Sequence, residues 1–485
     1  MKTFFRKSKW RFARILLAAF VFIATCCILW CIPGTEEYFG IQYGSALLKL
    51  FADASLGAAA GVISITLVTL LCGRIYCSVI CPLGIMQDIL LIRRKKNSFI
   101  RWTGKFKYPF FLLCIAALLA GVMLPLTLFV PSANFVQIVN FVFREILQWT
   151  GIAAATLRPA PAAALAAWGF FILLIVLVRW KGRIYCNTLC PVGTLLGIFS
   201  RFSWFKIRIK QEKCISCGAC ERSCKAGCID AKNKEVKFEN CVMCMNCLDS
   251  CKLDALHFTH DRTKPAEHSP GRRDFLIGGT TLLGAAAIGG LGGGMLRKSS
   301  KSQAVMPPGA GTYDRFAVTC LGCGLCISSC KGKVLQPAVG QYGLRGFMQP
   351  FLDFEKGACQ FDCKRCMEVC PCGALQKMTL PEKQQHRIGI ATYHPQRCVA
   401  YLEDMDCGAC SEHCPVGALD MVPYKNTLIP KVNEKLCIGC GACQNICPVL
   451  PVKAITVSGV SPQIKVEKPK IEKSQKLEAE EDFPF

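Results

Sequence analysis

Apolar residues are distributed very unevenly along this chain. Four long apolar stretches precede residue 181, at roughly 15–32, 55–72, 108–130 and 162–178, with almost no internal charge. Each approaches the ~20 residues that a helix needs to cross a bilayer core, so the pattern predicts four transmembrane helices. Downstream, apolar segments are short and punctuated by Gly, Pro and Cys, which predicts small α+β modules. A fifth apolar run, 275–296, interrupts them, and eight of its residues are glycine. The end of the chain, VEKPKIEKSQKLEAEEDFPF, is charged and low in complexity, and is predicted to be disordered.

Charge refines this picture. Lys2, Arg6, Lys7, Lys9, Arg11 and Arg14 precede the first stretch, and seven cations between Arg93 and Lys107 follow the second. Another eight, from Arg179 to Lys213, follow the fourth, whereas the two remaining connections carry only Lys49, Arg144 and Arg158. This asymmetry predicts that both ends of the bundle are cytoplasmic. It also accounts for much of the formal charge of +25, so nucleic acid is set aside as a partner and the lipid bilayer is expected.

A repeat divides the bundle. GRIYCSVICPLG at 73–84 returns as GRIYCNTLCPVG at 182–193, each directly after an apolar stretch. The membrane part therefore reads as a duplicated unit. The predicted organisation is a four-helix membrane domain (1–205), a two-cluster module (206–260), a linker with the fifth apolar run (261–311), a four-cluster domain (312–458) and a tail (459–485).

The 35 cysteines carry the chemistry. Long cysteine-rich chains are not disulfide knots, and these cysteines fall into tight runs. Cys214, Cys217, Cys220, Cys224 and Cys241, Cys244, Cys247, Cys251 follow the C-x2-C-x2-C-x3-C spacing of bacterial ferredoxins. So do Cys320, Cys323, Cys326, Cys330 and Cys437, Cys440, Cys443, Cys447. Two further runs are stretched at the front: Cys359, Cys363, Cys366, Cys370 and Cys398, Cys407, Cys410, Cys414.

Three cysteines at this spacing wrap one cubane, and the fourth, expected to start a helix, ligates the neighbouring cluster. Hence Cys251 should complete the first triplet and Cys224 the second, while the larger region admits consecutive or nested pairing. About six [4Fe–4S] clusters are expected. Tetrahedral zinc is the alternative for any one thiolate set, and six repeats of this spacing argue against it.

Four more cysteines, Cys77, Cys81, Cys186 and Cys190, form two C-x3-C-P pairs related by the duplication. If the pairs converge they can hold an additional metal or cluster; otherwise they are buried thiols beside Pro82 and Pro191, each starting a helix. Cys228 and Cys372 lie near enough to ligand runs to be spare ligands, whereas Cys26, Cys27, Cys31, Cys72 and Cys114 read as packing residues. All six histidines fall after the apolar bundle and no C-x-x-C-H is present, so haem is unsupported there. The glycines of the fifth run lack the strand and acidic residue of a dinucleotide site.

The paired GRIYC-x3-CP segments with a two-cluster module resemble NapH, the membrane subunit family of quinol dehydrogenases. PGRRDFLIGG, with its paired arginines, resembles a twin-arginine export signal, and the four-cluster region resembles the NapG and MauM ferredoxins. The fold implied is an α-helical membrane bundle of four helices plus a fifth, with α+β ferredoxin-like 2[4Fe–4S] modules. The resemblance implies an electron-transfer component of a quinol dehydrogenase in a bacterial inner membrane. Electrons would come from the quinone pool and leave through the clusters to an unidentified redox acceptor protein in the periplasm. The first module would be cytoplasmic and the second periplasmic. Relatives of this kind also include copper reductases of oxidase assembly, and a redox-sensing role is a third alternative. Glu36, Glu37, Asp53 and Asp88 are proton acceptors by location only.

Overall fold

The computed structural model describes residues 2–30, 40, 42–53, 56–92, 98–100, 103–119, 122, 124–143, 146, 161–260 and 304–467. The twin-arginine run, Cys31, Glu36, Glu37 and the end of the tail lie outside the described residues.

The first 200 residues form a helical bundle of two similar halves. The first half runs α1 (Lys2–Trp30), α2 (Tyr43–Asp53), α3 (Leu56–Cys72), α4 (Tyr76–Val79) and α5 (Pro82–Leu90). The second runs α6 (Thr103–Leu119), α7 (Leu124–Phe129), α8 (Pro131–Ile138), a π-helical turn at Val139–Phe143, α9 (Pro161–Lys181), α10 (Ile184–Thr188) and α11 (Pro191–Ser200). Pro82 and Pro191 start α5 and α11, because a first-turn position needs no N–H partner.

Two helices, over Trp10–Leu29 and Ala164–Lys181, are long and apolar enough to cross a membrane; Leu56–Cys72 and Phe106–Leu118 are shorter apolar helices. The predicted single helix over 108–130 is corrected to two pieces, α6 ending at Leu119 and α7 over Leu124–Phe129. Proline at 131 opens α8 after a break at Val130, because a proline nitrogen has no hydrogen to continue the ladder.

The first cysteine-rich module is a small α+β unit. Strand β1 (Phe205–Ile209) precedes helix α12 (Ala219–Ser223), the short β2 (Ile229–Asp230) and β3 (Glu235–Val236), α13 (Asn246–Ser250) and β4 (Leu256–His260). β1 and β4 pair antiparallel, Phe205 opposite His260 and Ile209 opposite Leu256, closing the ends of the module on each other. One expectation is overturned here. The fourth cysteine of each run does not start a helix; Cys224 and Cys251 are the C-cap residues of α12 and α13, because the one-turn helix is already used to carry the third cysteine.

The second module contains α14 (Tyr313–Thr319), α15 (Leu325–Ser328), β5 (Leu335–Pro337), β6 (Pro350–Leu352), α16 (Arg365–Glu368), α17 (Leu380–Gln384) and β7 (His386–Tyr393). α18 (Val399–Leu402), α19 (Ala409–Glu412), β8 (Leu419–Tyr424), β9 (Thr427–Val432), α20 (Ala442–Ile446) and β10 (Ile455–Lys465) complete it. Both predicted boundaries move outward. Val305 bridges to Leu352, and β10 pairs with β7 as far as Lys465 opposite His386. Gln463 donates from Nε2 to the Pro307 carbonyl at 2.9 Å, tying residues assigned by sequence to linker and tail into one folded end.

The modules sit at opposite ends of the bundle. The first meets the start of α1 through Arg11–Asp249, the end of α3 through the Trp204 N–H on the Leu70 carbonyl, and the start of α6 through Lys107–Asn240. The second meets α8 and the π turn, which lie between the far ends of α6 and α9. There the Gln137 Nε2 donates to the Gly322 carbonyl at 2.8 Å, and Phe141 lies over Gly324.

Candidate iron-sulfur and thiol sites

The ligand runs gather into sets of four by exchange of the fourth cysteine. Cys241, Cys244 and Cys247 line one cavity with Cys224, and Cys220 lies in the electrostatic reach of Cys214 and Cys251, as expected for the first module. In the second, the pairing left open by the sequence is consecutive. Cys359, Cys363 and Cys366 share a cavity with Cys330, and Cys437, Cys440 and Cys443 share one with Cys414. Cys320, Cys323 and Cys326 have Cys370 as their fourth neighbour. Cys398, Cys407 and Cys410 stand together, leaving Cys447 to complete the exchange.

These residues fit a [4Fe–4S] cluster. Apart from their cysteines, the first two cavities are lined mostly by Ala, Val, Ile and Leu, and the third by Val334, Leu335 and Leu352 with Pro308, Gly332, Gln360 and Arg365. Four thiolates around an apolar hollow match the all-cysteine donor set of a cubane. Burial pushes several of the thiols up, as at Cys443 and at Cys323, the latter to about 12, whereas a neighbouring thiol holds Cys224 and Cys370 down to about 7, Cys228 beside the first and Cys372 beside the second. Binding iron would displace the thiol protons.

Cys77, Cys81, Cys186 and Cys190 are buried inside the bundle, each 5% exposed or less, and lie within electrostatic reach of one another. Their positions follow from the repeated GRIYC-x3-CPxG motif, whose residues each have a visible task. Gly73 and Gly182 turn the chain at φ 75° and 69°, conformations open to glycine. The arginines cross between halves: Arg74 Nη1 donates to the Gly193 carbonyl at 2.8 Å and Nη2 to Asn187 Oδ1 at 2.6 Å, while Arg183 Nη1 donates to the Cys77 carbonyl at 2.7 Å.

The tyrosines reach the opposite way. Tyr76 donates to Gln42 and accepts from the Tyr43 N–H at the start of α2, and Tyr185 donates to the Phe129 carbonyl just before α8. The closing glycines, Gly84 and Gly193, let α5 and α11 approach; a Cβ there would lie 2.2 and 2.3 Å from the Cys77 and Cys186 carbonyl oxygens.

This centre touches both modules. Arg74 Nε donates to the Cys241 carbonyl at 3.3 Å while its Nη1 reaches the Cys186 carbonyl at 3.5 Å. On the other side Asn134 of α8 donates to the Tyr185 hydroxyl, and Gln137, three residues on, holds the loop between Cys320 and Cys323. Within the second module the Cys359 N–H donates to the Cys440 carbonyl at 2.9 Å, joining two further ligand sets. Asp88 is taken up by Arg183 at 2.8 Å, Lys225 at 3.3 Å and Arg14 at 3.4 Å. It is a structural anion that joins the two halves to the first module rather than a base. Neither it nor the crossing arginines are singled out by spacing alone, although the arginines lie inside the repeated motif.

Comparison with known proteins agrees with this chemistry. A 4Fe-4S binding domain family matches residues 55–99 and 161–210, a 4Fe-4S dicluster domain matches 358–418 and 405–450, and a second 4Fe-4S binding domain matches 211–227 and 319–340. The methylamine utilization ferredoxin-type protein MauN of Paracoccus denitrificans is 27% identical over 39% of this chain and 60% of its own length. The ferredoxin-type protein NapG of Escherichia coli is 28% identical over 27% of this chain and 56% of its own, and the putative electron transport protein YccM of the same organism 26% over 34% and 44%. The chain thus spans about half of the length of the curated relatives it matches. No solved structure matches it.

Proposed function

For a chain of the ferredoxin-type electron-transport family with several [4Fe–4S] domains, similar to NapH and NapG, we propose a membrane-bound line that carries electrons from quinol to a periplasmic redox protein. The observation that carries this reading is the position of the four central thiols. They lie between the first module and the second, with Arg74 on one side and α8 on the other. In the proposal Cys77, Cys81, Cys186 and Cys190 hold a further metal centre that relays electrons between the modules. Bound clusters supply one-electron transfer at potentials that the protein sets through hydrogen bonds, charge and burial.

The bilayer assignment is supported by the outward faces of the long helices. Leu16, Leu17 and Phe20 on α1, Ile63 and Leu67 on α3 and Leu165, Ile172 and Val176 on α9 are all exposed, as side chains facing lipid are. The test is reduction of the purified, cluster-loaded protein by a quinol analogue, followed by its optical bleaching under anaerobic conditions. Bleaching and recovery over many cycles with an added acceptor support the proposal; an inert protein with intact clusters contradicts it.

A second reading uses the same central thiols to reduce or carry copper, and the all-sulfur donor set favours it because soft thiolates select Cu(I). It predicts cupric reduction lost in Cys77→Ser, with electron delivery to protein acceptors unchanged.

A further inference from the structure

The cavity of the second ligand set in the first module has five thiols rather than four. Cys228, four residues after Cys224 in CKAGCI, is 2% exposed and lines this cavity with Cys224, Cys241, Cys244 and Cys247. Its Sγ stands 3.5 Å from Cys224 Sγ.

Sister loops in the same chain show what is unusual about it. In CKLDAL and CPVGAL the corresponding residues are Ala255 and Ala418. At all three places the backbone N–H of this residue donates to the fourth cysteine: Cys228 to Cys224 at 3.5 Å, Ala255 to Cys251 at 3.3 Å and Ala418 to Cys414 at 3.2 Å. The backbone therefore follows one course, and the side chain at this position has one direction. Ala418 lines the cavity of its own set, just as Cys228 does. Alanine fills the place where packing is the only demand, so the thiol at 228 supplies something packing does not require.

We infer that Cys228 is a reserve sulfur ligand, able to take the iron that Cys224 holds. The inference rests on the reading of this cavity as a [4Fe–4S] site. In the exchange, the iron–sulfur bond to Cys224 breaks as one to Cys228 forms. The Cys228 thiol proton passes to the departing Cys224 thiolate, and no oxidation state changes. The 3.5 Å separation of the two sulfurs makes this a local movement of one side chain.

The experiment compares iron and acid-labile sulfide per chain, with cluster electron paramagnetic resonance, in the full-length protein and three variants. Cys251→Ala, whose loop offers only Ala255, should lose one cluster's worth of iron. Cys224→Ala should keep it, and Cys224→Ala with Cys228→Ala should lose it. An equal loss in Cys224→Ala and Cys251→Ala overturns the inference. Wild-type protein lacking iron would instead sink the cluster reading itself. Should Cys224→Ala fail to accumulate, Cys228→Ala alone decides. Loss of the thiol's contact with Cys224 should leave iron content unchanged and shift the midpoint potential of one cluster, because hydrogen bonds to ligand sulfurs help to set it. Six unchanged potentials would overturn the inference.

Discussion

Arg183 has no solvent exposure and binds Asp88 and the Cys77 carbonyl together. Its planar fork satisfies both, which a lysine cannot do. Arg183→Lys is therefore expected to destabilise the bundle almost as much as Arg183→Ala, by roughly 3 kcal/mol, since breaking a buried pair strands the remaining charge. Thermal unfolding in detergent measures this, and a lysine variant at wild-type stability would contradict the assignment. At the same scale, Gly193→Ala places a Cβ against the Cys186 carbonyl. Forcing α11 away from it should cost about 1–3 kcal/mol and reduce the metal proposed for the central thiols, read by iron or copper content in a chain stripped of its ferredoxin clusters by ligand mutation.

Among the elements, the contact of the first module with α6 and α11 depends on Glu239. Burial alone would raise its carboxyl, but Lys107 and Arg201 hold it below the ordinary carboxylate range. A depressed carboxylate stabilises the folded state above its unfolded value, and this contribution is lost as pH falls through the lower folded value. Detachment of the module, followed by limited proteolysis near Arg201, should therefore begin only below about pH 4, near the unfolded glutamate value. Glu239→Gln should remove that pH dependence. Part of this level was legible in the sequence: the apolar stretches that form α1 and α9 follow from the hydrophobic pattern, and the grouping of Cys224 with the second triplet from cysteine spacing. The interruption of the third stretch between α6, which ends at Leu119, and α7, which begins at Leu124, was not, because apolar composition continues through it. Nor was the end of the last strand, where Gly459 and Pro462 read as a tail while Gln463 anchors it to residues more than a hundred and fifty positions earlier.

At the scale of the whole molecule, the duplication decides the architecture. Each half alone presents two thiols, and the pairs meet because Arg74 and Arg183 each reach from one half to the cysteine carbonyl of the other. The repeat was visible in the sequence, but the convergence was not, since contacts between positions more than a hundred residues apart leave no local signal. The modules then occupy opposite ends of the bundle because α3 and α9 finish at the first, while the second docks on α8 and the π turn. The central claim is that electrons pass from one module to the other through this centre. Its most direct test uses the cluster-loaded protein in sealed lipid vesicles containing ferricyanide, with dithionite added outside and ferricyanide loss followed optically. The account predicts protein-dependent loss that disappears in Cys77→Ser with Cys186→Ser, although all six ferredoxin sites remain filled. Loss at the wild-type rate in that double variant, or no loss with the fully loaded wild-type protein, would contradict it.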